Sequence, residues 1–85
     1  MDILSEAKLL VEGDRGEAYG HPAKKYELMA KIWSTILEKE ITPQQVVLCM
    51  LGVKLTREII RYKRDNLVDL AGYALLLQQL SDEDI

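Results

Sequence analysis

Thr42-Pro43-Gln44-Gln45-Val46-Val47-Leu48-Cys49-Met50-Leu51 is the stretch whose reading decides the fold. Its first four residues spell a helix start. Threonine can cap, proline suits the first turn because its missing N–H needs no partner there, and Gln45 can reach back to close a capping box. From Val46 to Leu51 every residue is apolar, and Val53 and Leu55 follow closely. A helix that is apolar all round is expected to be buried all round. This one should continue to about Tyr62.

Outward from that helix, glycine and proline divide the chain into three more helical segments. Upstream, Pro22 fits a first helical position, and Tyr26, Met29, Ala30, Trp33, Ile36 and Leu37 line one face to about Lys39. Nearer the N-terminus, Asp2 can cap a helix over Ile3 to Glu12 that stops at Gly13, with Ile3, Leu4, Ala7, Leu10 and Val11 as its stripe. Downstream, a fourth helix should start near Asp65 or Asn66 and reach about Leu80. Its middle, Leu70 to Leu77, is again apolar apart from the Tyr73 hydroxyl. The acidic tail from Ser81 should fray. The expected fold is all-α: one four-helix domain over residues 1–85.

Hydrophobic residues make up 48% of this 85-residue chain. A monomer of this size cannot cover two helices that are apolar on every side, so a homo-oligomeric helical bundle is expected, with isologous dimerisation as the first step. The net charge of −3 argues against a nucleic-acid or anionic-membrane binder. Met1-Asp2-Ile3 lacks the basic start of a signal peptide, and no apolar run reaches membrane-spanning length. The single cysteine, Cys49, reads as a buried thiol in a reducing cytoplasm.

Polar residues interrupt the apolar pattern in three places. Lys54, Arg57, Glu58 and Arg61 recur at three- and four-residue spacings, so they share one side of the third helix. Lysine and arginine there form a candidate anion-binding stripe, because the guanidinium fork suits phosphate. Asp65 and Asp69 lie a turn apart at the start of the fourth helix. Asp65 reads as a cap, and Asp69, beside an apolar stretch, needs a partner such as Lys54 or Arg57. The alternative is that the two aspartates share a Mg²⁺ ion. The third place is the glycine-rich loop, Gly13-Asp14-Arg15-Gly16-Glu17-Ala18-Tyr19-Gly20-His21-Pro22. It puts an imidazole and free backbone N–H groups at a helix N-terminus, where phosphate is favoured. With one histidine in the chain, no nucleophile–base–orienter set can be assembled, and no zinc, P-loop or dinucleotide motif is present.

Gly13-Asp14-Arg15, Tyr19-Gly20-His21-Pro22, Trp33, Ile41-Thr42-Pro43, Lys54 with Arg57, and Asp65-x-x-x-Asp69-x-x-Gly72-Tyr73 occur in that order. The pattern resembles a family of small phage and prophage proteins that constitute a domain of unknown function. The resemblance implies a viral or prophage origin, a compact helical fold and residence in the host cytoplasm. The layout is also similar to the all-α nucleoside triphosphate pyrophosphohydrolases. Those enzymes hold Mg²⁺ between an E-x-x-E pair and an E-x-x-D pair, whereas here Glu27 is followed by Ala30 and Lys31. With half the cluster missing, two-metal hydrolysis loses its basis.

Together these readings lead to an oligomeric binder of a phosphorylated, nucleotide-type ligand, with no catalytic residue and no cofactor. Its site would combine Asp14, Arg15, Tyr19, His21, Lys54, Arg57, Asp69 and Tyr73. By analogy with small phage proteins, it would act as a sponge for a nucleotide second messenger of host defence. The alternatives are a Mg²⁺-dependent nucleotide pyrophosphohydrolase using Asp65 and Asp69, and a structural or protein-interaction module.

Overall fold

The computed structural model describes residues 1–13 and 22–83. Among them lie four helices and no strand: α1 (Ile3–Glu12), α2 (Pro22–Leu37), α3 (Pro43–Ile60) and α4 (Arg64–Glu83). The expected all-α, four-helix fold is present. The local signals act as their chemistry dictates. Asp2 accepts the Ser5 N–H at 2.7 Å and caps α1, and the Gly13 N–H closes the same helix on the Leu9 carbonyl at 2.8 Å. Thr42 and Gln45 form the full capping box, with Gln45 N–H on Thr42 Oγ1 at 3.2 Å and Thr42 N–H on Gln45 Oε1 at 2.9 Å.

Helix α2 is two residues shorter than expected, because Glu38 turns into the left-handed region at a φ of 53°. The Ser34 hydroxyl then fastens the turn, donating to the Ala30 carbonyl at 2.6 Å and accepting the Ile41 N–H at 2.9 Å. Helix α3 stops at Ile60 rather than Tyr62, since Arg61 is extended and the chain reverses there. Asp65 is not the cap of α4. The helix begins at Arg64, which places Asp65 inside the first turn with its side chain exposed. At the other end α4 continues through Glu83, past the Leu80 expected.

Helix α4 is the hub and packs against the other three. The core joins Val11 of α1, Ala23, Tyr26 and Ala30 of α2, Val46 and Val47 of α3, and Leu76 and Leu80 of α4. Ala7 is buried, and Gly72 faces Val11, where a Cβ would sit in ordinary contact with Val11 Cγ2 at 3.6 Å. The start of α1 is tied to the start of α4 by Arg64, which pairs with Glu6 and donates to the Met1 carbonyl at 2.6 Å.

The apolar stretches are not buried all round within the chain. In α3 only Val46 and Val47 are buried, while Leu48, Val53 and Leu55 are exposed. Cys49 is exposed as well, contrary to the buried thiol expected. The reason is geometric: α2 and α4 together cover one side of α3, and these residues project from the other. In α1, Leu4 and Leu10 of the expected stripe are exposed, as are Ile36 and Leu37 of α2.

Candidate functional site

The polar residues gather along the seam between α3 and α4, an antiparallel helical hairpin. Lys54 Nζ lies 2.9 Å from Asp69 Oδ2, with the lysine side chain only 15% exposed. One turn further along, Glu58 Oε1 accepts the Lys63 N–H at 2.9 Å and a longer bond from the Asn66 amide at 3.4 Å. Residue numbers rise on α3 as they fall on α4 across these two rungs, so Lys54–Asp69 and Glu58–Asn66 are successive cross-links of one seam. Asn66 is the one buried polar residue of the described chain, and Glu58 gives its amide a partner.

Beyond the first rung lie two tyrosines. The Tyr26 and Tyr73 rings meet edge to face, with centroids 6.4 Å apart and planes at 82°. Burial pushes the Tyr26 hydroxyl well above its ordinary range, helped by the charge of and hydrogen bond to Tyr73 and by the negative charge of Asp69. Tyr26, Asp69, Gly72 and Tyr73 contribute to the wall of a cleft of 160 Å³, closed by Val11 and Leu76. This space suits a small group and one or two hydrogen bonds rather than a whole nucleotide.

Beside the second rung is a different kind of space. Arg57, Ile60, Arg61, Lys63 and Asn66 surround a cleft of 290 Å³. Three cationic side chains line it without a carboxylate among the lining residues. Among the described residues, no acidic side chain pairs with Arg57, Arg61 or Lys63. The Glu58 carboxylate, bonded to the Lys63 N–H and the Asn66 amide, borders the same space, and guanidinium and ammonium groups are suited in general to anions with several oxygens.

The sequence-predicted site is thus partly assembled and partly divided. Of the two partners expected for Asp69, Lys54 is the one that pairs with it, and Asp69 and Tyr73 line one cleft. Arg57 belongs to the neighbouring basic cleft and does not line the one with Tyr73. Asp65 stands exposed. Asp14, Arg15, Tyr19 and His21 lie outside the described residues. Among those described, no group of three or more histidine, cysteine, aspartate or glutamate side chains is placed to share a metal ion. The sequence reading missed Lys63 and Asn66. The signal available was the Glu58…Lys63…Asn66 spacing across a helix break, where a carboxylate can satisfy the donors of the turn.

A small all-α domain with a polar seam and an adjoining basic cleft is the class of protein that these features define. The chain belongs to the family described as a domain of unknown function (DUF6378), which it matches over residues 2–81. It is 37% identical over 84 residues to the Gene 55 protein of Mycobacterium phage D29, covering 98% of this chain and 56% of that protein. To the Gene 55 protein of Mycobacterium phage L5 it is 33% identical over 82 residues, covering 94% of this chain and 53% of that one. The chain therefore spans about half the length of the curated relatives it matches. These relatives place it with phage proteins of unknown function, in line with the resemblance carried by its motifs. No solved structure matches it. No helix among the described residues is long and apolar enough to cross a membrane.

Proposed function

We propose that this protein is a homo-oligomeric binder of a phosphorylated, nucleotide-type ligand. The observation that carries the reading is the cleft of 290 Å³ lined by Arg57, Arg61 and Lys63, with which no acidic side chain forms an ion pair among the described residues. Phosphate oxygens accept from the two guanidinium forks and the lysine ammonium. The rest of the ligand runs one helical turn along the α3–α4 seam toward Asp69 and Tyr73, whose carboxylate and hydroxyl suit sugar or base donors. The ion pair with Lys54 holds that carboxylate in place. A phage protein that held such a ligand without turning it over would lower its free concentration, which is the action of a counter-defence sponge.

Isothermal titration with inorganic pyrophosphate and a panel of nucleoside di- and triphosphates tests the reading. Saturable binding is expected, together with no release of pyrophosphate or phosphate in Mg²⁺. Arg57→Ala should weaken binding by roughly 1.5–3 kcal/mol, the range for a hydrogen bond to a charged group. Arg61→Ala should act in the same direction. Both side chains are exposed, so the helical circular dichroism should be unchanged. Binding that survives the double substitution would refute the assignment. Mg²⁺-dependent turnover abolished by Asp69→Ala would replace it with the pyrophosphohydrolase reading.

A further inference from the structure

We infer that Glu58 is the positioning residue of the basic cleft, holding Lys63 and Asn66 at a fixed place relative to Arg57 and Arg61. The inference deepens the proposed function and rests on it, since this cleft is the one that receives the phosphates there. Arg57 and Arg61 belong to the end of α3, whereas Lys63 stands in the short connection and Asn66 in the first turn of α4. Two elements therefore supply the lining. An anion held by several groups at once is bound tightly only when those groups are ordered before it arrives.

The ordering bonds run through one carboxylate. Glu58 Oε1 accepts the Lys63 N–H at 2.9 Å and, at a longer 3.4 Å, the Asn66 amide. The Asn66 backbone N–H in turn donates to the Lys63 carbonyl at 3.0 Å. Glu58, Lys63 and Asn66 thus close a ring of three hydrogen bonds in which both backbone groups of Lys63 are engaged. Asn66 is buried, so an amide that lost Glu58 would have little water to turn to. On the α3 side, the Arg61 N–H closes on the Arg57 carbonyl at 3.0 Å and fastens the two arginine positions to each other. Glu58, itself on α3, ties the other half of the lining to them.

A counter-ion is the other role open to a carboxylate beside three cations. Among the described residues Glu58 forms no ion pair with Arg57, Arg61 or Lys63. Its oxygen is spent on a backbone N–H and a neutral amide instead. The negative charge that remains at the edge of the cleft opposes an incoming anion. Frame and charge therefore act on affinity in opposite directions, and experiment can separate them.

The test is isothermal titration of the full chain with inorganic pyrophosphate, made where circular dichroism shows each variant folded. Glu58→Gln keeps an acceptor for both donors and removes the charge, so it should bind at least as tightly as wild type. Glu58→Met is of similar length and equally neutral, but offers no comparable acceptor. It should bind about two- to tenfold more weakly than Glu58→Gln, the effect of leaving one flexible side chain to be ordered on binding. Because both variants are neutral, charge cancels in the comparison. Coupling separates positioning from a merely structural role. In a Lys63→Ala background the side chain being positioned is gone, and the gap between the two variants should shrink. Equal affinities for Glu58→Gln and Glu58→Met, or an undiminished gap with Lys63→Ala, overturn the role of Glu58 and leave the cleft in place. If Glu58→Met does not fold, Glu58→Gln decides, because binding weaker than wild type overturns the role as well. A wild type that binds no pyrophosphate overturns the ligand reading and the role of Glu58 together.

Discussion

Tyr26 shows how one side chain can serve as packing and as polar frame at once. Its ring fills the core between α2 and α4 and meets the Tyr73 ring edge to face, and its hydroxyl feels the charge of Asp69. Burial and that charge oppose ionisation in the folded chain, so its folded pKa lies above the unfolded value near 10. A group raised in this way contributes stability that is fully present below pH 10 and lost as pH rises above it. The lysines discharge in the same range, so a variant is needed to isolate the tyrosine. Tyr26→Phe keeps the buried ring and removes the titrating hydroxyl, so stability at pH 7 should change by no more than about 1 kcal/mol. Above pH 10 its melting temperature should then fall less steeply than that of the wild type. Parallel slopes for the two proteins would show that Tyr26 ionises as freely in the folded chain as in the unfolded one.

At the scale of the helix, α3 contains both the clearest success of sequence reading and its clearest failure. The Thr42–Gln45 capping box was legible because it is local: four consecutive residues satisfy their own donors, whatever packs above them. Thr42→Ala should cost about 1 kcal/mol, a fall of roughly 4–8 °C in Tm for a domain of this size. Thermal denaturation followed by circular dichroism measures it, and an unchanged Tm would mean that packing alone fixes this terminus. The burial of α3 was not legible in the same way. An unbroken apolar run tells that the helix avoids water, but not which chain does the covering. Val46 and Val47 are covered from within, while Leu48 and Leu55 are not. The site divides by the same logic. That Asp69 pairs with Lys54 or Arg57 could be read from the sequence, because a partly buried carboxylate demands a nearby cation, but not which of the two. Arg57 was grouped with them by helical spacing, which specifies a side of α3 but not which of two adjoining clefts its side chain lines. Lys63 and Asn66 were missed because they follow the helix break, where periodicity stops.

Across the whole molecule, stability and binding fall on separable parts, and the Lys54–Asp69 pair is where they can be told apart. The pair joins α3 to α4 beside the core, and the lysine is mostly covered. Asp69→Asn would leave Lys54 without its counter-ion. The cost should be about 1–3 kcal/mol, between the values for an exposed and a fully buried pair. Lys54→Met keeps the length of the side chain and removes the charge, so combining it with Asp69→Asn takes away the uncompensated cation. The double variant should therefore be more stable than Asp69→Asn alone, a coupling that urea denaturation of all four members of the cycle would measure. Binding divides differently. In the proposed function the phosphates rest on Arg57, Arg61 and Lys63, so the double variant should retain part of its affinity for inorganic pyrophosphate. A nucleotide that also reaches Asp69 should lose more. The difference between the two ligands is the readout, because a merely structural role for the pair would weaken both alike. Equal losses for pyrophosphate and nucleotide, scaling with the loss of stability, would confine Lys54 and Asp69 to holding the hairpin together and shorten the ligand's footprint to the basic cleft.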